Sequence, residues 1–146
     1  MTELKRVFLD TSPIIYYLQR DEIYFEKMKR IFIELRKNRV ELISSDISIA
    51  EYCVFPYRTN RMQLVEDFDK FLQVASVDIV HTSDWIAKKS AKIRAKYIAF
   101  KTMDSLQLAF ALSKDCDLFL TNDKQLRQFD EIKCVVIDEL FDSLSK

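Results

Sequence analysis

Short apolar runs alternate with longer stretches of helical periodicity along this chain. The first run, Val7 to Leu9, has the length of a strand and ends at Asp10-Thr11-Ser12, before Pro13 begins a new apolar stretch. Further runs of strand length cover residues 40–43, 74–80, 118–120 and 135–137. Between them, apolar residues at three- and four-residue spacing predict helices over 13–18, about 28–37, 49–55, 64–72, 84–97 and 103–113, with a short one near 123.

Strands that are continuously apolar and alternate with helices are typical of a mostly parallel sheet covered on both faces. The chain has 146 residues and is 49% hydrophobic, which suits one domain with an ordinary core. We therefore predict a single domain over residues 1–146. Its fold class is α/β, with three α/β/α layers around a mostly parallel sheet of about five strands.

Glycine is absent from the sequence. The phosphate-binding loops of Walker and Rossmann type need glycine for their tight turns, so both are excluded. Positions with positive φ must then be occupied by other residues, and we expect Asn38, Asn60 and Asn122 to be among them.

Charge and cysteine content limit the kinds of partner, metal site and cellular compartment that the sequence suggests. The 23 basic and 23 acidic residues cancel, so any attraction to nucleic acid must be local. Three widely spaced cysteines favour neither a disulfide framework nor a thiolate zinc site, and we interpret them as core residues in a reducing compartment. No secretion signal or membrane-spanning run is recognisable, so we predict a cytoplasmic protein.

Four acids stand where the predicted strands meet their helices. Asp10 ends the first strand, and Glu51 lies early in the helix after the second. Asp104 opens the helix before the fourth strand, and Asp123 follows that strand. Because the carboxyl ends of parallel strands share one edge of the sheet, we expect these acids to meet there.

Each acid also has a structural interpretation. Ser48 to Glu51 fits a capping box, and Asp104 and Asp123 stand where acids stabilise a helix N-terminus. Taken together, four carboxylates at one edge would repel one another unless a cation or raised pKa values relieved the repulsion. Carboxylate oxygens favour the hard cations Mg²⁺ or Mn²⁺, which commonly serve phosphodiester hydrolysis.

A basic stretch over residues 88–101 leads directly to the third acid. A basic strip beside an acidic metal centre suits a phosphodiester substrate, because the strip can hold the flanking phosphates. Within the stretch, Lys96 and Lys101 are the better candidates for binding RNA, whereas Lys88 and Lys89 are expected to form a solvated helix face. Arg58 and Arg61 are secondary candidates.

An ordered set of motifs resembles the PIN-domain nucleases, and among them the VapC-type toxins of toxin–antitoxin pairs. The motifs are Phe8-Leu9-Asp10-Thr11-Ser12, Ser48 to Glu51, Met103-Asp104-Ser105-Leu106-Gln107-Leu108-Ala109 and Leu120-Thr121-Asn122-Asp123. The resemblance covers nearly the whole chain.

The resemblance implies a ribonuclease that cuts single-stranded or looped RNA with one or two Mg²⁺ or Mn²⁺ ions. Asp10, Glu51, Asp104 and Asp123 would hold the metal and carry catalysis, supported by Thr11, Ser12 and Thr121. It also implies a homodimer and a small antitoxin partner, and Tyr16, Tyr17, Tyr24 and Phe25 are candidate contacts for either.

Two other functions on this fold stay open: a PIN-fold nuclease that processes RNA without being a toxin, and a non-catalytic module that binds RNA or protein. A phospho-acceptor signalling domain is disfavoured. It would require an acidic pair after the first strand and a lysine after the last, and the last strand is followed by Asp138 and Glu139 instead.

Overall fold

The computed structural model describes residues 3–146 and contains five strands, seven α-helices and one 3₁₀ helix in that range. The strands are β1 (Arg6–Leu9), β2 (Glu41–Ser45), β3 (Asp78–Val80), β4 (Leu118–Thr121) and β5 (Lys133–Val136). The helices are α1 (Thr11–Leu18), α2 (Phe25–Lys37), α3 (Asp46–Arg58), α4 (Met62–Val74), α5 (Asp84–Lys96), α6 (Thr102–Ser113) and α7 (Ile137–Leu144). The 3₁₀ helix, Lys124–Gln128, follows β4.

The five strands form one parallel sheet in the order β3-β2-β1-β4-β5. The first strand of the chain is therefore the middle strand, with β2 on one side and β4 on the other. All carboxyl ends lie at one edge, where an open α/β sheet binds its ligands. The predicted α/β class and the parallel five-stranded sheet are confirmed.

Two hydrophobic cores lie on opposite faces of the sheet, because successive side chains of a strand point to opposite sides. Val7 and Leu9 enter the core that contains α2 and α4, whereas Phe8 enters the core that contains α6. Every one of these three side chains has no exposed surface. This arrangement explains why β1 is apolar without interruption and confirms the three layers.

Five helices end in Schellman motifs without glycine. At the end of α2, Val40 N–H bonds the carbonyl of Leu35, and Arg39 N–H bonds that of Arg36. The residue after the C-cap has positive φ in each motif, and the five are Arg20, Arg39, Asn60, Ser76 and Asp115. Asn60 confirms the prediction from the sequence. Asn38 was predicted wrongly because it is the C-cap of α2, with φ −91, and Asn122 is not among the positive-φ residues of the described chain.

Replacing Arg39 with glycine should stabilise the protein by up to about 1 kcal/mol. A residue with a Cβ is strained at φ 58, and glycine relieves that strain at some entropic cost in the unfolded chain. Urea unfolding of Arg39→Gly beside the wild type measures the difference. The same change at Arg36, inside α2, is the control and should destabilise instead.

Two of the predicted strand ends lie inside helices. The third strand was predicted to begin at residue 74, but Val74 ends α4 and β3 covers only Asp78–Val80. The fifth was predicted to end at Ile137, which instead begins α7, a helix that was not predicted from the sequence. Within residues 3–146, no helix is long and apolar enough to cross a membrane.

Candidate functional site

Asp10 lies at the carboxyl end of the central strand and caps the N-terminus of α1. Its Oδ1 accepts a hydrogen bond from Thr11 N–H at 2.9 Å, and its Oδ2 accepts one from Thr121 Oγ1 at 2.8 Å. Its backbone N–H donates to the carbonyl of Leu120 at 2.9 Å. The carboxylate is thus held between β1 and β4 by the pairing of those strands.

Glu51 is joined to the same place by Thr11. The Thr11 hydroxyl donates to Glu51 Oε1 at 2.7 Å, so one threonine contacts two of the four acids. The alternative of a Ser48–Glu51 capping box is wrong, because Ser45 is the N-cap of α3 and accepts from Ser48 N–H at 3.3 Å. The carboxylate of Glu51 is therefore not used to cap α3.

Asp104 and Asp123 do take part in capping, as their structural interpretation expected. Asp104 Oδ2 accepts from Lys101 N–H at 3.1 Å, and Asp123 Oδ1 accepts from Gln125 N–H at 3.0 Å. In addition, Asp123 N–H donates to Thr121 Oγ1 at 3.1 Å. The Thr121 hydroxyl thereby connects the backbone of Asp123 to the carboxylate of Asp10.

The four acids influence one another electrostatically. Burial raises the pKa of Asp10 to about 6 against the lowering effect of its hydrogen bonds, and the charges of Glu51 and Asp104 add to the rise. Burial also raises the pKa of Asp104, with a contribution from Asp123. In the described part of the chain, no group of three or more acidic, His or Cys side chains converges on one point as a ligand cluster. The donor set is nonetheless carboxylate oxygen, which fits Mg²⁺ or Mn²⁺.

We expect the raised pKa of Asp10 to make the metal-free protein less stable as the pH rises. A carboxyl with pKa 3.8 unfolded and about 6 folded stabilises the fold below about pH 4, and the contribution is lost as the pH rises to about 6. The full loss amounts to about 3 kcal/mol, of which about 2 kcal/mol falls between pH 4.5 and 7. Urea unfolding in EDTA at pH 4.5 and 7 measures it, with Asp10→Asn as the control. Equal pH dependence of the two proteins would contradict this prediction.

Polar residues that were not predicted as site residues lie buried beneath the acids. Ser44, Ser45, Ser48 and Gln107 are at most 1% exposed. Gln107 Nε2 donates to Ser48 Oγ at 2.8 Å and faces Asp10 Oδ1 at 3.4 Å. The sequence does carry a signal for Gln107, because it is a polar residue within an apolar run, three positions after Asp104.

The other predicted residues lie at varying distance from the acids. Lys101 adjoins Asp104, and its charge lowers the pKa of that carboxyl. Lys96 forms an exposed ion pair with Asp130 at 3.0 Å, and Arg61 lies over the ring of Phe55. Arg58 is the exposed last residue of α3. Ser12 is half-buried in the first turn of α1.

Comparison with known proteins identifies the fold. VapBC2 from Rickettsia felis, solved bound to a promoter DNA fragment, superposes with a TM-score of 0.71 at 17% identity, over 90% of this chain and 98% of that chain. VapBC-1 from nontypeable Haemophilus influenzae gives 0.69 at 18% identity, over 91% and 98%. VapC20 from Mycobacterium tuberculosis, a toxin that cleaves the sarcin–ricin loop, gives 0.64 at 16% identity, over 87% and 98%.

No curated protein sequence matches the chain. The PIN domain family, in contrast, matches residues 7–132, which include all four acids, the whole of β2, β3 and β4, and β1 without its first residue. This match spans most of the sequence and agrees with the parallel sheet described above. The chain belongs to the PIN domain family.

Proposed function

We propose that this protein is a metal-dependent endoribonuclease, and that it is the toxin of a toxin–antitoxin pair. The observation that carries the proposal is the coupling of four acids at the carboxyl edge of the sheet, with Asp10 partly buried between two hydroxyl-bearing residues. A carboxylate with a raised pKa that lies among other acids is typical of a functional site. Family membership supports a nuclease in particular.

Asp10, Glu51, Asp104 and Asp123 would hold Mg²⁺ or Mn²⁺. Bound there, the cation would polarise a phosphate oxygen and lower the pKa of a bound water. The protein's own part is orientation: Thr11 aligns Glu51, and Thr121 aligns Asp10. Ser12, in the same turn, is a further candidate for support.

An RNA substrate would meet positive charge beside the acids. Lys101 is exposed and directly precedes α6, and its charge acts on the Asp104 carboxyl. We infer that Lys101 contacts a phosphate next to the cleaved one. Lys96 is a weaker candidate, because RNA would have to compete with Asp130 for it. Arg58, the last residue of α3, and Arg61, the N-cap of α4, are secondary candidates for phosphate contacts.

A small antitoxin and a second copy of this chain are the proposed protein partners. The antitoxin is supported by the fold shared with toxins solved as VapBC assemblies. A groove of about 450 Å³ lined by Tyr17, Phe32 and Val74, with Lys29 and Arg36 at its border, would suit an apolar segment that carries acidic residues. Exposed apolar side chains at Phe55 and elsewhere on α3 suit a dimer contact. A small reading frame beside the gene would favour a toxin over an RNA-processing nuclease.

The test is cleavage of an RNA that contains loops and paired regions, with Mg²⁺ or Mn²⁺ and with or without EDTA. We expect cutting that requires the metal and stops on chelation. Cutting unaffected by EDTA would contradict a metal-dependent mechanism. Absence of both cutting and Mn²⁺ binding would favour the alternative of a non-catalytic binding module on the same fold.

A further inference from the structure

A buried hydrogen-bond network under the acids favours one arrangement of donors and acceptors. Ser45 Oγ accepts from Ser48 N–H at 3.3 Å, which leaves its proton to bond Gln107 Oε1. The amide therefore points its Nε2 toward Ser48 Oγ and the Asp10 carboxylate. The opposite orientation would set the amide oxygen against Asp10 Oδ1, oxygen facing oxygen.

The network continues to the end of the central strand. Ser48 and Ser44 hydroxyls lie 2.9 Å apart, and Ser44 donates to the carbonyl of Leu9 at 2.8 Å. Leu9 is the last residue of β1 and directly precedes Asp10. Gln107 of α6 is thus joined to Ser45 at the end of β2 and to Ser48 in α3. Through Ser48 and Ser44 it is also joined to the backbone that presents Asp10.

Burial makes this arrangement rigid. Gln107 is 1% exposed, and Ser44, Ser45 and Ser48 have no exposed surface. Breaking one link leaves a buried donor or acceptor without a partner, which destabilises the folded protein. The relative position of α6, α3 and β1 is therefore determined by polar contacts as well as by apolar packing.

The Gln107 side chain faces one of the acids and lies on the same helix face as another. Gln107 follows Asp104 by three residues, so both lie on one face of α6. Its Nε2 faces Asp10 Oδ1 at 3.4 Å. An amide is neutral, so it can orient a carboxylate without competing with a cation for the site, as a lysine or arginine would. Its role is therefore compatible with metal binding.

We propose that Gln107 is a positioning residue that sets the separation of Asp10, Glu51 and Asp104 for a divalent cation, an inference that rests on the proposed function. Partners of this kind, which hold the ligands of a metal without touching it, typically contribute 10- to 100-fold to metal affinity. Gln107 does this from α6, while Ser48 and Ser45 transmit the constraint to the helix of Glu51.

Gln107→Met tests the inference, because methionine keeps the length of the side chain and removes its hydrogen bonds. Gln73→Met, on the exposed side of α4, is the matched control. Calorimetric titration with Mn²⁺ alone, without RNA, should show about a 10- to 100-fold weaker Kd for Gln107→Met than for Gln73→Met. The Mg²⁺ concentration for half-maximal RNA cleavage should rise in parallel.

A purely structural role gives a different result. Gln107→Met would then unfold at lower urea concentration, while its folded fraction bound Mn²⁺ as tightly as Gln73→Met, and the inference would be overturned. If Gln107→Met does not fold, Ser45→Ala removes the donor that orients the amide and should weaken Mn²⁺ binding in the same direction. Unchanged affinity in Ser45→Ala would also overturn it. Wild type that neither binds Mn²⁺ nor cuts RNA would overturn the proposed function, and this inference with it.

Discussion

Asp10→Asn is expected to reduce metal-dependent RNA cleavage by at least about a thousandfold while the protein stays folded. Asparagine matches aspartate in size and keeps one oxygen to accept from Thr11 N–H or Thr121 Oγ1. It lacks the negative charge that would hold a divalent cation, and the lost stabilisation is worth several kcal/mol. Initial rates on one RNA, at equal concentrations of folded protein, measure the effect.

Asp69→Asn is the control for this substitution, since Asp69 is an exposed aspartate on α4. It should cut RNA at the wild-type rate. Circular dichroism should show that Asp10→Asn retains the helical signal of the wild type. If Asp10→Asn cut RNA normally, Asp10 would have no part in the site, and the assignment of the other three acids would lose its basis.

Phe119→Ala should have the largest effect on stability, a loss of about 3 to 5 kcal/mol in the free energy of unfolding. Phe119 and Phe8 are neighbours on β4 and β1, and their rings stack with centroids 5.2 Å apart and an interplanar angle of 7°. Neither side chain has any exposed surface. Alanine would leave a cavity against Phe8 at the centre of the sheet.

Urea unfolding followed by circular dichroism measures this loss. Phe55→Ala removes the same side chain from a site that is 44% exposed, and should cost less than about 1 kcal/mol. Similar losses in the two variants would be incompatible with a core centred on the Phe8–Phe119 pair.

Much of the fold could be predicted because its strands are buried on both faces. Continuous apolar runs such as Val7 to Leu9 arise when each side chain enters one of two cores. Boundaries were less predictable where apolar sequence continues from one element into the next. Val74 and Val77 are both apolar and β-branched, yet Val74 ends α4, whereas Val77 N–H donates to the carbonyl of Leu72 in the Schellman motif that follows the helix. Ile137 is fully buried, and a strand residue or a helix residue at this position would be buried equally, so its apolar character does not show which element it belongs to.

The position of the acids at one edge of the sheet could be predicted from topology, but their hydrogen-bond partners could not. Placing Asp10 and Asp123 at one edge needs only parallel strands. Ser45, and not Ser48, caps α3. The sequence leaves this choice ambiguous, because several residues that favour helix starts follow one another there. The role of Gln107 could not be predicted without knowing which face of α6 packs against β2. The metal-ligand role of the four acids stays a prediction.

The order β3-β2-β1-β4-β5 also bears on when the activity can arise during synthesis. Asp10 emerges from the ribosome 111 residues before Thr121, whose hydroxyl donates a hydrogen bond to the Asp10 carboxylate. Until β4 has emerged, the central strand lacks one of its two neighbours. A nascent or prematurely terminated chain that stops before Thr121 is therefore expected to carry the first acid without an assembled site, so that the proposed nuclease could act only after β4 has been synthesised.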